Sequence, residues 1–138
     1  MGIIAYLNFN GNCREAMEFY KEAFKGEKLQ IMTFGDMPPR EGVELDDKTK
    51  AMVAHGNLEV LGTSIMFSDM PPGQAMVVGN NIHLNISLGD VDELKSIFDK
   101  LKVNAQVITE LGETFWTKAY GYLIDKYGVG WMFNYVEE

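Results

Sequence analysis

The sequence predicts an α+β fold: two βαβββ modules pairing into an incomplete, half-open barrel with the helices outside. Three observations predict it. First, the chain repeats itself, since Tyr6-Leu7-Asn8-Phe9 matches His83-Leu84-Asn85-Ile86. Second, each segment runs into a helix start, Gly11-Asn12-Cys13-Arg14-Glu15 in one half and Gly89-Asp90-Val91-Asp92-Glu93 in the other. Third, the halves end alike, with Gly62-Thr63-Ser64-Ile65-Met66-Phe67 lying over Gly128-Val129-Gly130-Trp131-Met132-Phe133. The expected organisation is one domain over 1–138, made of a module at 1–69, a linker at 70–81 and a module at 82–138.

A strand is expected at 3–9. Helix 1 starts at Asn12, whose side chain can cap it, with Glu15 placed to close a capping box. Ala16, Tyr20, Ala23 and Phe24 share one helical face, and Gly26 ends the helix. A strand at 28–34 leads into a polar loop, 35–50, carrying Pro38-Pro39. Strands at 52–60 and 63–68 are joined by a tight turn at Leu61-Gly62. Pro71-Pro72-Gly73 and Gly79-Asn80-Asn81 fit a linker. The second half restates the order. A strand at 82–88 precedes a helix capped by Asp90, in which Leu94, Ile97, Phe98 and Leu101 recur at helical spacing. Strands at 106–109, 118–124 and 131–136 follow, with Tyr127-Gly128 at the last turn.

Composition excludes several function classes. At 138 residues the chain can bury roughly two-thirds of its unfolded surface. Twelve basic residues against twenty acidic ones give a net charge of −8, which opposes a nucleic-acid backbone. No apolar run approaches the ~18 residues of a membrane span, and the first residues do not read as a signal peptide. The single cysteine, Cys13, permits no internal disulfide. It reads as a small, partly buried residue, the alternative being a thiolate favoured by the first helical turn. The expected setting is the cytoplasm.

Strand alternation locates the candidate site. Leu7 and Phe9 oppose Tyr6 and Asn8, and Leu84 and Ile86 oppose His83 and Asn85. Ile65 and Phe67 oppose Met66 and Ser68, while Trp131, Phe133 and Tyr135 oppose Met132 and Asn134. If the apolar sets pack on the helices, the other face carries Tyr6, Asn8, Met66, Ser68, His83, Asn85, Met132 and Asn134. Three asparagines on one face suit a wet, mixed cleft better than a core, because each buried amide needs partners. The rival reading is an interface at which these groups bond one another.

The βαβββ repeat with its Phe19-Tyr20 pair resembles the vicinal oxygen chelate superfamily, which includes glyoxalase I, extradiol dioxygenases, and fosfomycin and bleomycin resistance proteins. The resemblance sharpens to the PhnB-like branch. It rests on Tyr6-Leu7-Asn8-Phe9-Asn10-Gly11-Asn12, on His55-Gly56-Asn57 and Ser68-Asp69-Met70-Pro71, and on the run from Glu113-Thr114-Phe115-Trp116 to Tyr127-Gly128-Val129-Gly130-Trp131-Met132. Metal-dependent members hold a divalent ion with ligands from the first and last strands of each half. The matching positions here are Tyr6 or its neighbour Ala5, Met66, His83 and Met132. Only His83 is an ordinary ligand for such an ion, the thioethers being soft donors suited to copper(I). Members of the branch often carry the label 3-demethylubiquinone-9 3-methyltransferase. An S-adenosylmethionine site normally needs a Gly-rich strand-to-helix turn in an alternating α/β sheet, and Gly11-Asn12 and Gly89-Asp90 sit in a different architecture.

Single residues leave alternatives open. His83 has the chemistry of a general base, or else bonds Asn85 within the sheet. His55, mid-strand before Gly56-Asn57, is counted with the ligand-cleft residues and reads as packing there, with catalysis as the alternative. Glu113, beside Phe115 and Trp116, is a candidate carboxylate base, or a solvated loop charge like Glu110. Phe115, Trp116 and Tyr120 can stack on a planar ligand or form a dimer contact. Asp36-Met37-Pro38-Pro39 and Asp69-Met70-Pro71-Pro72 repeat a tetrapeptide outside the duplication. Turn chemistry explains that repeat, with loops over the cleft as the alternative. The leading expectation is a homodimeric small-molecule binding protein with no tight metal or other cofactor. The rivals are a divalent-metal-dependent isomerase, lyase or transferase anchored by His83, and a structural dimer whose cleft is vestigial.

Overall fold

A computed structural model of the chain describes residues 2–137 and divides into two compact units, Met1–Met76 and Val77–Glu138. The first unit runs β1 (Tyr6–Phe9), α1 (Cys13–Phe24), β2 (Glu27–Thr33), α2 (Asp47–Ala51), β3 (Val53–Val60) and β4 (Thr63–Asp69). Its sheet order is β1-β4-β3-β2, with β1 parallel to β4 and the other pairs antiparallel. The second unit runs β5 (His83–Leu88), α3 (Val91–Leu101), β6 (Gln106–Gly112), β7 (Tyr120–Ile124) and β8 (Gly130–Tyr135). Its order, β5-β8-β7-β6, is the same, again with the first strand parallel to the last. Each unit is a βαβββ module, and the α+β class stands.

In each unit one face of the sheet meets a helix. Cys13, Ala16, Met17, Tyr20, Ala23 and Phe24 form the buried stripe of α1, two residues more than the periodicity alone singles out. Tyr20 stacks on Phe67, which stacks on Phe9, with ring centroids 6.0 and 6.2 Å apart. Gly56 faces α1 so closely that an added Cβ would lie 2.5 Å from Met17. The core of the second unit gathers Leu94, Ile97, Phe98 and Leu101 of α3 with Leu123, Trp131 and Phe133. Phe98 meets Phe133 edge to face at 5.0 Å. Truncating a core leucine such as Leu94 to alanine is worth about 2–5 kcal/mol in such a setting.

The helix starts differ from each other. Asp90 caps α3 as expected, accepting from the N–H groups of Asp92 and Glu93. Asn12 makes no side-chain cap on α1. Its place is taken by Asp69 at the end of β4, whose Oδ1 accepts from Gly11 N (2.9 Å) and Cys13 N (3.0 Å). A buried carboxylate already in place removes the need for a local cap. At the other end of α1 the left-handed residue is Lys25 rather than Gly26, with Gly26 N donating to Lys21 O.

The expected polar loop contains structure: a single 3₁₀ turn over Phe34–Asp36 and the five-residue α2. Both are started by local side chains. Thr33 and Asp36 form a reciprocal capping box, and Asp46 accepts from Thr49 N. These hydrogen bonds hold the Asp36 and Asp46 carboxyls below the usual aspartate range. Strand ends shift by a few residues: β1 starts at Tyr6, β6 runs on to Gly112, and β7 starts at Tyr120. No helix among the described residues is long and apolar enough to cross a membrane.

Candidate functional site

The face of each sheet that turns away from its helix carries the polar residues picked out by alternation. In the first unit Tyr6 pairs with Met66 and Asn8 with Ser68 across β1 and β4. Ser68 is buried, and its hydroxyl donates to Asn8 Oδ1 at 3.0 Å. His55 lies on β3 opposite Met32, with its Nδ1 3.4 Å from the Tyr6 hydroxyl, a long contact. Asn57, two residues on, pairs with Met66 on one side and Gln30 on the other. Its Oδ1 is buried and has no hydrogen-bond partner. An orphaned acceptor costs about 1–3 kcal/mol, which a bound donor would recover.

In the second unit the same face carries His83, Asn85 and Ser87 on β5, Met132 and Asn134 on β8, and Tyr120 and Tyr122 on β7. The Tyr122 hydroxyl lies 2.7 Å from His83 Nε2, with ring centroids 4.7 Å apart. When Tyr122 donates, the ring proton sits on Nδ1, which then points a donor away from the pair. Asn134 Nδ2 donates to Asn85 Oδ1, and Asn85 Nδ2 donates to Ser87 Oγ at 2.8 Å. This is a connected polar surface with two tyrosine rings beside it.

Tyr122 and Gly130 were missed by sequence reasoning, and both act on His83. Tyr122 alternates with Tyr120, so period two alone could have found it. Gly130 lies directly across from His83, and a Cβ there would come within 2.5 Å of His83 Cδ2. The glycine leaves the imidazole room to lie over β8. Met132 instead sits opposite Asn85, one row further along. In the first unit the matching methionine, Met66, does face the first residue of β1. The β5–β8 register is thus shifted by two residues from that of β1–β4, a slip that leaves every side chain on its expected face.

Phe115 and Trp116 stand on the segment between β6 and β7. Phe115 is 98% exposed and Trp116 58%; the rings of Phe115 and Trp116 meet edge to face at 4.9 Å, and Trp116 lies 5.5 Å from Tyr120. Glu113 is exposed on the same segment.

The divalent ion implied by the fold does not fit these donors. Among the described residues no three His, Cys, Asp or Glu side chains come together. On its own sheet His83 has a glycine opposite and a phenol on Nε2, and neither thioether is beside it. Hard and borderline divalent ions want three or four imidazole, thiolate or carboxylate ligands.

The sequence pattern described as 3-demethylubiquinone-9 3-methyltransferase matches residues 1–133. Protein YjdN from Escherichia coli (strain K12) is 34% identical over 145 aligned residues, spanning 100% of this chain and 97% of YjdN. Protein PA1353 from Pseudomonas aeruginosa is 31% identical with a TM-score of 0.86, covering 100% of this chain and 99% of that one. A PhnB protein from Bacillus cereus, 24% identical, shares the fold at a TM-score of 0.74 over 99% of this chain and 100% of its own.

Proposed function

The chain belongs to the 3-demethylubiquinone-9 3-methyltransferase family, in the PhnB-like branch of the vicinal oxygen chelate superfamily, and from that premise we propose that it binds a small molecule without a tightly held metal. The observation that carries this reading is the polar and aromatic surface of the second sheet, where His83–Tyr122 and Asn85–Asn134 are already hydrogen-bonded. Groups held in place by each other lose little freedom when a ligand arrives. His83 Nδ1 and the asparagine amides supply directional contacts, while Tyr120, Tyr122 and Met132 supply adaptable apolar area. In the first unit Tyr6, Met66 and the orphaned Asn57 Oδ1 offer the same mixture, and that oxygen calls for a ligand N–H or O–H. Tyrosine faces and a net charge of −8 favour a planar ligand, neutral or cationic. The methyl transfer in the family's description finds no support in the helix starts at Gly11 and Gly89, which lack a Gly-rich phosphate-type turn.

We further propose a homodimer in which Phe115 and Trp116 meet a second copy, since rings this exposed are otherwise a liability.

Chelator-treated protein titrated with planar aromatic amines, followed by ligand-observed NMR, tests the binding reading. Binding is expected without metal and is expected to weaken at least roughly tenfold when Asn85→Leu and Asn134→Leu are combined, with the fold retained. Binding or turnover that returns only with a divalent ion, and is lost with the ion in His83→Ala, would replace this reading by a metal-dependent isomerase, lyase or transferase.

A further inference from the structure

Two copies of the tetrapeptide Asp-Met-Pro-Pro, at 36–39 and 69–72, meet around one cavity of about 1170 Å³ within the first unit. The copies are unrelated by the duplication, yet each is built alike. The leading aspartate fixes the segment to the scaffold. Asp36 accepts from Thr33 N at 3.0 Å and closes the capping box. Asp69 is buried and accepts from Gly11 N, Cys13 N and Val53 N. The trailing prolines then run on from a fixed point with φ restrained, so both walls are stiff and apolar. Pro38, Pro39, Pro71 and Pro72 line the cavity together with Phe34 and Met37.

The rest of the lining carries charge. Arg40 and Lys50 are among its lining residues, and neither is in an ion pair among the described residues. Glu44 is the one acidic residue lining it. In a chain of net charge −8, the lining holds two basic side chains against one acidic. Gly35 lets this lining close in, since a Cβ there would lie 3.1 Å from Lys50 Cβ and from its carbonyl oxygen. Stiff apolar walls, an aromatic residue and two basic residues in the lining define a shape and charge for a ligand to match. The cavity lies on different residues from the sheet faces described above, and its volume of about 1170 Å³ is larger than a small ligand needs, so a probe would fill only part of it.

We propose that this cavity is a second ligand site, taking a flat apolar anion of the aromatic carboxylate class. The ring system lies between the proline walls against Phe34, and the carboxylate points to Arg40 and Lys50. A guanidinium grips a carboxylate through two parallel hydrogen bonds, which gives Arg40 the larger share of recognition.

The test uses the full chain and 1-naphthoate as probe, with 2-naphthalenemethanol as a neutral control, followed by amide NMR shifts and calorimetry. Naphthoate is expected to shift amides within 34–50 and 73–76, and to bind roughly ten- to a hundredfold more tightly than the alcohol. Arg40→Gln, an exposed change that leaves the sheet untouched, is expected to remove most of that difference, and Lys50→Gln part of it. The Asn85→Leu, Asn134→Leu pair should leave naphthoate binding unchanged, which separates this site from the sheet-face reading. Equal affinity for the alcohol, indifference to Arg40→Gln, or shifts confined to β5, β7 and β8 would each overturn the proposal.

Discussion

Two side chains show how much a single position decides in this chain. Cys13 is fully buried, and burial, assisted by the nearby Asp69 carboxylate, pushes its thiol up to about 12. It is therefore a packing residue. Folding favours the neutral thiol, so its contribution to stability is intact below the ordinary value of 9.0 and is lost as pH rises towards 12. Ellman's reagent at pH 8 is expected to leave the folded protein unlabelled and to label one thiol per chain in denaturant. Between pH 9 and 11 the wild type is expected to lose stability faster than Cys13→Ala, as urea titrations would record. Gly130 decides the posture of His83. Gly130→Ala must displace the imidazole, because the added carbon meets Cδ2 at 2.5 Å. The ring nitrogen shifts of His83 should then lose the signature of a hydrogen-bonded Nε2, with stability changed by about 1–3 kcal/mol. Unchanged nitrogen shifts would show that the glycine plays no part in seating the ring.

At the scale of elements, each unit is fastened by one buried aspartate. Asp125 accepts from Tyr127 N, Val129 N and the Trp131 indole at 2.8, 3.1 and 2.8 Å, holding the β7–β8 turn to its own core tryptophan. Asp125→Ala leaves a buried indole N–H and two amides without their acceptor, for an expected loss of about 3 kcal/mol or more. The urea midpoint followed by tryptophan fluorescence measures it, since both tryptophans lie in the second unit. This scale also marks what could be seen in the sequence. The repeat, the two helical stripes and the facing of the strands were all legible, because periods of two and 3.6 are written locally. The pairing register was not, since a slip of two residues leaves the alternation intact while moving Met132 from His83 to Asn85. The cap on α1 was also hidden: Asn12 has the right chemistry, but Asp69, 56 residues from Cys13, reaches the amide first. The helix α2 is too short to show a period.

For the molecule as a whole, the two modules share strand order and pairing sense but present different surfaces. The first carries the orphaned Asn57 oxygen and the proline-walled cavity, and the second carries the His83–Tyr122 pair and the exposed rings. Under the proposed homodimer, light scattering should give twice the chain mass of 15.5 kDa. Phe115→Ser with Trp116→Ser should halve it without altering the circular dichroism. A monomeric wild type would remove the dimer and return both rings to the ligand question.

Asp69 also has a consequence in time. Its three donors lie 58, 56 and 16 residues away along the chain, at the β1–α1 junction and at the start of β3. The β3–β4 hairpin brings in Val53, but no local fragment can complete the set, since the Gly11 and Cys13 donors arrive only after a long loop has closed. Contacts completed after the rate-limiting step leave the folding rate nearly untouched and govern how fast the native state opens. Asp69→Ala should therefore refold about as fast as the wild type and unfold many times faster, so that this one carboxylate sets how long the first unit stays closed.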